Sequence, residues 1–271
     1  MSRAGMKSGG PPPILPLCLN GTMPKVPPPA LDADGSDLIH VAFYDTRRKP
    51  NEKGMLKAAA LFNSSRVRFH ALLSYPQAIR GMRVHSLHLP PRARCIHRNL
   101  VRLSHGPGPQ YLYKPLLHWV LPQDVERLIV LDTDVVMIRG IEELWAEFDH
   151  FGGAMLGVAK EQSNLYRCVS WVQTGGMWAG HCHAWRPSVT HRSLPAHRRG
   201  AIGANGGVQL LHLGRMRSSV RYAVGLDHYA AGLDGRWIGY LGDQTLYSFM
   251  GSSHPDLFYQ LVRAWTSLRP L

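Results

Sequence analysis

The stretch Arg127–Val136 (RLIVLDTDVV) decides how this sequence is interpreted. The apolar run that begins at Leu128 is typical of a strand buried on both faces, and it ends in two carboxylates, Asp132 and Asp134. Side chains two residues apart on a strand point to the same side, so these carboxylates would repel each other unless a cation lay between them. Carboxylate oxygens suit Mg²⁺ or Mn²⁺, ions that usually accompany a phosphorylated ligand. The stretch therefore favours a metal–nucleotide site, with a plain strand-ending turn rich in Asp as the alternative.

Composition limits the partners that this chain can have. With 271 residues it can bury a full core as one large domain or two small ones. Its 31 Lys and Arg residues exceed its 18 Asp and Glu residues, and the resulting net charge of +13 favours an anionic partner such as a nucleotide sugar, an acidic glycan, a membrane surface or nucleic acid. The basic residues are scattered and no nucleic-acid motif accompanies them, so specific nucleic-acid binding is not expected.

The N-terminal part differs from the rest in composition. Met1–Asp37 is rich in Pro and Gly and has no credible signal-peptide core, because Ile14–Leu19 is too short and carries Pro16. We therefore expect residues 1–37 to form a disordered leader. No run approaches the ~20 apolar residues that a membrane span needs, so no transmembrane segment is expected in this chain.

The four cysteines do not indicate a zinc site. Cys18, Cys95, Cys168 and Cys182 show no Cys-x-x-Cys spacing, and their disulfide pairing stays open. Three adjacent side chains cannot easily turn to one ion, so His181–His183 (HCH) favours a surface loop.

The hydrophobic pattern predicts one α/β domain after the leader. A strand at Leu38–Tyr44, a helix at Glu52–Phe62 capped by Asn51, and a strand at Arg66–Leu73 form a βαβ unit, which implies a parallel sheet. Cys168–Arg199 is irregular and reads as an insertion loop. The remaining predicted elements are a helix over Tyr113–Val120 with Pro115 in its first turn, the strand at Leu128, a helix over Ile141–Phe148, strands at Ala154–Val158 and Val208–Leu213, and a helix that Asp243 opens and Gly251 ends.

The long central segment Val125–Phe148, the following Leu156–Tyr166 and several shorter motifs occur in an order shared with one enzyme family. Together they resemble glycosyltransferase family 8, and above all its LARGE-type xylosyl/glucuronosyltransferases and the related xyloside xylosyltransferases, with the two long segments carrying most of the resemblance. Each shorter motif is weak alone, but all occur in register, over roughly residues 38 to 261. The shorter motifs are Ile39–Ala42, Met55–Lys57, Arg68–His70, Asn205–Val208 and Gly242–Gln244.

The resemblance implies a fold and an activity. The fold would be GT-A, a Rossmann-like mixed and mainly parallel sheet flanked by helices. The activity would be transfer of a sugar, with xylose favoured, from a UDP-sugar to a glycan or glycoprotein with retention of anomeric configuration. Asp132 and Asp134 would ligate Mn²⁺ (or Mg²⁺), with Asp132 also meeting the ribose. The ion would act as a Lewis acid on the leaving UDP. The expected location is the Golgi lumen.

Further site residues follow from the same resemblance. Lys114 would lie near the donor phosphates, and a solvated helix lysine is the alternative. Asn205 would hold the sugar or nucleotide where Gly206 and Gly207 let backbone approach closely, and a plain turn is the alternative.

The reacting carbon of the sugar would lie beside Asp243 and Gln244. Gln244 would face it through the amide oxygen, while the alternative for Asp243 is a helix N-cap. Gln162 and Asn164 would shape the acceptor side, or belong to an exposed loop.

One motif of the family is not found. Its third metal ligand is a His in a C-terminal His-x-x-Gly-x-x-Lys motif, and His254, which is followed by Pro255, Asp256 and Leu257, does not fit that pattern. We therefore expect residues 38–271 to be a GT-A domain that is incomplete at its C-terminal end, with low or no turnover. The membrane anchor typical of Golgi members is also not found.

Two other functions remain open at this stage. One is a catalytically impaired nucleotide-sugar or glycan-binding protein. The other is a haloacid-dehalogenase-like phosphatase, because Asp132–Val136 also fits Asp-x-Asp-x-Thr/Val. That family has its nucleophilic Asp near the domain start, whereas this motif lies midway along the chain.

Overall fold

The computed structural model describes residues 13–18, 38–60, 62, 66–104, 108–133, 135, 137, 139–161, 204–233, 235 and 241–261. Within these ranges the strands form one seven-stranded sheet. The strands are β1 (Ile39–Asp45), β2 (Val67–Leu73), β3 (Met82–Ser86), β4 (Arg127–Leu131), β5 (Leu156–Lys160), β6 (Ala204–His212) and β7 (Phe258–Leu261). The α-helices are α1 (Glu52–Ala60), α2 (Pro91–Arg102), α3 (Ile141–Ala146), α4 (Leu213–Ser218), α5 (Val220–Ala230) and α6 (Asp243–Ser253).

The sheet is mixed and mainly parallel, as predicted. Its order is β3-β2-β1-β4-β6-β5-β7. β1 is parallel to β2 and β4, β2 is parallel to β3, and β5 is parallel to β7. Only β6 reverses, since it runs antiparallel to both of its neighbours, β4 and β5. The predicted βαβ unit is confirmed by the parallel pairing of β1 with β2 across α1, whose Asn51 cap accepts a hydrogen bond from the Gly54 N–H at 3.1 Å.

Strand β4 is buried on both faces. Its residues Leu128–Leu131 are at most 2% exposed. Leu128 and Val130 belong to one hydrophobic core and Ile129 and Leu131 to a second, because alternate side chains leave opposite faces of a strand. Each buried Leu, Ile or Val contributes roughly 1.5–3 kcal/mol of hydrophobic stabilisation, so this strand fixes the centre of the sheet. Helices α1 and α3 cover one face, and α2, α5 and α6 cover the other.

The segment that precedes β4 is not the α-helix that the sequence predicts. Residues Pro109–Leu112 and Lys114–Trp119 form two 3₁₀ helices. Their turns close through i→i+3 bonds, from Leu116 N to Tyr113 O at 2.9 Å and from Val120 N to Leu117 O at 3.0 Å. The two prolines, Pro109 and Pro115, lack the N–H groups that a continuous α-helix would use, which limits the segment to short turns.

Residues 13–18 do not behave as the disordered leader that was expected over residues 1–37. Leu15 donates its backbone N–H to the Ala231 carbonyl at 2.9 Å, and the Pro16 carbonyl accepts a bond from Asn99 Nδ2 at 2.9 Å. Cys18 forms a disulfide with Cys95 of α2. In this stretch Leu15 packs against the core and Cys18 is buried in it, so residues 13–18 are held by α2 and the end of α5. None of the helices in the described ranges is long and apolar enough to span a bilayer.

Asp227 of α5 lies beneath this stretch and is buried. Its carboxylate pairs with Arg92 Nη2 at 2.6 Å and accepts the Cys18 N–H at 3.2 Å. The ion pair thus joins α2, α5 and residues 13–18 in one hydrogen-bonded group.

We expect acid to destabilise the fold through the buried His118. It is 1% exposed and packs against Trp119 and Tyr222, and burial, with a contribution from Arg217, lowers the pKa of His118 to about 3. In the unfolded chain the His118 ring binds a proton near pH 6.5. The stability that depends on the neutral ring is therefore fully present above pH 6.5, and it is lost progressively as the pH falls from 6.5 toward 3. At pH 5 the loss from this residue is about 2 kcal/mol in the free energy of unfolding. Urea unfolding at pH 7.5 and pH 5 will measure it.

His118→Leu, which keeps the volume and removes the titrating ring, should reduce the loss of stability at pH 5. His150→Gln is the matched control, because His150 is exposed and its replacement should leave the loss unchanged. Equal acid sensitivity in His118→Leu and the parent chain would contradict the assignment.

Candidate functional site

The candidate site forms where three segments meet at the carboxyl end of β4. Asp132 follows β4 directly, and its backbone N–H donates to the Gly207 carbonyl at 3.0 Å. Because β6 is antiparallel to β4, the first residues of β6 lie beside the last residues of β4, as the pairing of Leu131 with Val208 shows. Helix α6 begins beside the same point, since a Cβ placed on Gly206 would lie 3.3 Å from Asp243 Oδ2.

A buried lysine joins these three segments. Lys114 is 1% exposed, and its Nζ donates to Asp132 Oδ1 at 2.9 Å and to the Gly206 carbonyl at 2.6 Å. The same atom lies 3.6 Å from Asp243 Oδ2 and 4.9 Å from the centre of the Tyr44 ring. Burial opposes the charge of Lys114, but Asp243 and Asp132 outweigh it and raise the pKa of this ammonium above its usual value. The alternative of a solvated helix lysine is therefore wrong.

Asp243 is the second buried charge of the site. It is 1% exposed and accepts a hydrogen bond from Gln209 Nε2 at 2.6 Å. Burial raises the pKa of Asp243 to about 6, with Lys114 acting against this rise and Asp132 adding to it. Asp243 is the first residue of α6, and Gly242, at φ 55°, holds the position before it. The N-cap alternative for Asp243 is therefore not what the helix shows, and its carboxylate faces the site instead.

A buried glutamate holds two predicted site residues by their amide nitrogens. Glu161 is 3% exposed and follows β5. Its Oε2 accepts from Asn205 Nδ2 at 3.1 Å and from Gln244 Nε2 at 3.1 Å. The Asn205 oxygen accepts the Gly207 N–H at 3.0 Å. Glu161 was missed as a site residue, although it lies inside the resembling segment Leu156–Tyr166.

Two glycines, Gly206 and Gly207, stand near the start of β6 where a side chain would be crowded. A Cβ on Gly206 would lie 2.9 Å from Gln244 Cγ, closer than real Cβ contacts allow. A Cβ on Gly207 would lie 3.3 Å from Asn205 Oδ1. Gly206 thus lets β6 lie close to Gln244 and Asp243, whereas the expected approach of this backbone to the sugar or nucleotide stays a prediction.

Six predicted site residues come together here. They are Lys114, Asp132, Asn205, Gly206, Asp243 and Gln244. Asp134, Gln162 and Asn164 lie outside the described residues, as do Cys168, Cys182 and His181–His183.

For a metal, the described donor set is small. Asp132 is 29% exposed at its side chain, and Lys114 engages its Oδ1. In the ranges given above, no group of three His, Cys, Asp or Glu side chains converges on one point. Asp132 thus fits as one ligand of a hard cation, and the proposed second ligand, Asp134, is not among the described residues.

Comparison with known proteins agrees with the resemblance seen in the motifs. No family model matches the chain. Mouse xyloside xylosyltransferase 1 is 33% identical over 160 residues, which are 55% of this chain and 36% of that protein. Human xylosyl- and glucuronyltransferase LARGE1 is 33% identical over 163 residues, which are 60% of this chain and 19% of that protein. The crystal structure of mouse xyloside xylosyltransferase 1 in its apo form matches with a TM-score of 0.58 at 23% identity, over 82% of this chain and 84% of that one.

These matches confirm the predicted GT-A fold and the predicted family resemblance. The mixed sheet flanked by helices is the GT-A arrangement of the structural neighbours. In sequence, the match covers about a third of the mouse relative and a fifth of human LARGE1. The chain therefore has the GT-A fold and resembles the xyloside xylosyltransferases and the LARGE-type xylosyl- and glucuronyltransferases.

Proposed function

We propose that this chain carries the donor site of a retaining, Mn²⁺-dependent glycosyltransferase. The enzyme would transfer a sugar, with xylose favoured, from a UDP-sugar to a glycan or glycoprotein acceptor. The observation that carries the proposal is the buried Lys114, whose ammonium lies within 4 Å of Asp132, Asp243 and the Gly206 carbonyl. A cation at the centre of these oxygens lets two carboxylates lie close together without a bound metal, so the site can be formed before the donor arrives.

On the nucleotide side, Asp132 and Asp134 would hold the metal ion. When bound, the ion neutralises charge that develops on the departing diphosphate. Lys114 holds Asp132 by bonding Oδ1, which would leave the other carboxylate oxygen for the ion and the ribose. The ammonium also adds positive potential on the side of the site where the phosphates would lie.

On the sugar side, Asn205 and Gln244 would contact the donor. Glu161 accepts from both amide nitrogens, so it fixes the two side chains in one orientation. With its nitrogen held in this way, Gln244 would turn its amide oxygen to the sugar carbon on which positive charge develops. Asp243 directly precedes Gln244 in the chain. Its contacts with Gln209 and Lys114 hold the start of α6 in place.

The disulfide supports a location in an oxidising compartment. Disulfides persist in the secretory pathway and are rare in the cytosol, so the Cys18–Cys95 bond is in keeping with the proposed Golgi lumen. The phosphatase alternative is not proposed, because the relatives and the fold are those of glycosyltransferases.

Calorimetry of UDP binding tests the proposal. We expect binding to require Mn²⁺ and to weaken at least about tenfold, or about 1.4 kcal/mol, in both Asp132→Asn and Asp134→Asn. Asp149→Asn is the matched control, because this exposed carboxylate lies in the segment after α3, away from Asp132, and its loss should leave UDP binding unchanged. UDP binding that ignores the metal and both site variants would refute the donor-site assignment.

A further inference from the structure

Gln209 is an unexpected residue for its position in the sheet. It lies inside β6, where it pairs with Val130 of β4 and Val158 of β5, and it is 0% exposed. Its apolar strand neighbours, Val208 and Leu210, are also buried. A buried amide disfavours folding unless its polar atoms are hydrogen-bonded, so an apolar residue would suit this strand better. The presence of an amide here therefore needs a local reason.

The reason lies in the contacts of its nitrogen. Gln209 Nε2 donates to Asp243 Oδ2 at 2.6 Å and to the Gly206 carbonyl at 3.2 Å. These are two of the acceptors that surround Lys114 Nζ, which is 3.6 Å from the first and 2.6 Å from the second. One charged and one neutral nitrogen thus share the same two oxygens.

The other end of the amide has no such contact. Gln209 Oε1 is buried without a hydrogen-bond partner in the described part of the chain. Because both partners of Nε2 are pure acceptors, the amide cannot be turned round to satisfy its oxygen. Strand β6 thus leaves Gln209 Oε1 unsatisfied while placing Nε2 against Asp243 and Gly206. Such an arrangement is expected where a residue is selected for function rather than for stability.

We propose that Gln209 is a positioning residue of the donor site, whose amide nitrogen holds the Asp243 carboxylate and so fixes the start of α6, the helix that carries Gln244, against β6. The groups that face Asp243 are Lys114 from the 3₁₀ segment, Asp132 after β4, Tyr44 on β1 and Tyr247 on α6 itself.

An amide suits this position better than a second cation would. Asp132 and burial both oppose ionisation of Asp243, and the favouring cation, Lys114 Nζ, lies 3.6 Å from its Oδ2. A second lysine would favour the carboxylate but would also repel a metal ion at Asp132. The neutral N–H of Gln209 stabilises the carboxylate without that repulsion. The catalytic meaning of this role rests on the proposed function, but the effect on Asp243 does not.

The first experiment measures the pKa of Asp243 by carboxyl ¹³C NMR, with Asp243→Asn used to assign the signal. In Gln209→Met, which keeps the volume and removes the donor, we expect the pKa to rise by about one unit or more from its value near 6. Leu211→Met, a buried residue on the same strand, is the control and should leave it unchanged. A pKa in Gln209→Met equal to that of the parent chain overturns the proposal.

A second measurement uses the unmodified chain, in case Gln209→Met does not fold. The two Nε2 protons of Gln209 should shift as Asp243 titrates and should exchange slowly with solvent. Signals that do not respond to pH between 5 and 7 would overturn the proposal as well.

UDP–Mn²⁺ binding separates positioning from a merely structural role. In Gln209→Met, binding should fall at pH 6.5 and recover at pH 8.5, where Asp243 ionises without help. An equal fall at both pH values would mean that Gln209 only supports the fold. Failure of the unmodified chain to bind UDP would refute the proposed function and leave the NMR results to decide the role of Gln209.

Discussion

Lys114→Met is expected to lower the free energy of unfolding by about 3–5 kcal/mol and to abolish UDP–Mn²⁺ binding. The substitution keeps most of the side-chain volume but removes the ammonium that bonds Asp132 and the Gly206 carbonyl and lies 3.6 Å from Asp243. Asp243, 1% exposed, would then lose its cation and be held as a protonated acid well above pH 6. Urea unfolding at pH 7.5 and calorimetry would measure the two effects.

A double variant distinguishes the loss of stability caused by unpaired buried charge from the loss caused by altered side-chain packing. Lys114→Met combined with Asp243→Asn removes the buried cation together with one buried anion, so it should recover part of the lost stability. It should not recover UDP binding, because Asp132 is still without its partner. If Lys114→Met destabilised the protein by less than about 1 kcal/mol, the ion pairs described here would not govern its stability.

Cys18→Ala is expected to cost about 4 kcal/mol of stability. The Cys18–Cys95 bond closes a loop with a sequence separation of 77 residues, and a loop of that size restricts the unfolded chain by about that amount in the chain-entropy account. Cys95→Ala and the double variant should show the same loss, measured by chemical unfolding without reductant.

Reductant provides the control for this prediction. It should bring the parent chain down to the stability of Cys18→Ala and have no further effect on the variant. Leu17→Ala, at a neighbouring half-exposed position, should change stability little. A parent chain whose stability is insensitive to both substitution and reduction would contradict the role given to the bond.

The fold was predictable where one physical signal dominated. The apolar run of β4 and the β1-α1-β2 unit followed from hydrophobic pattern and an Asn cap. By contrast, β3 (Met82–Ser86) and α2 (Pro91–Arg102) were not predicted, since β3 is a five-residue strand at the sheet edge and α2 has neither a side-chain cap nor an acidic residue in its first turn. The 3₁₀ segment was mistaken for an α-helix because its apolar spacing is compatible with both.

The site was predictable at the level of residue types and not of contacts. Asp132, Asp243 and Gln244 were predicted because they lie in motifs of the resembling family, and Lys114 because it aligns with a lysine of that family. Glu161 and Gln209 were not, since their roles depend on hydrogen bonds between residues 34 to 83 positions apart, which no local pattern records. The burial of Lys114 was equally invisible, because a lysine on a helix is normally solvated.

The reversed strand β6 also sets the order in which this molecule can be built. As the chain leaves the ribosome, β1 to β4 can pair with one another, but β4 keeps one open edge until Ala204–His212 has been synthesised. Asp132 therefore lies at an open sheet edge until Gly206 has been synthesised, and the group is complete only once Asp243 has followed. A ligand that needs all three recognises only the finished chain, so a donor nucleotide would stabilise completed molecules and leave partial ones unprotected.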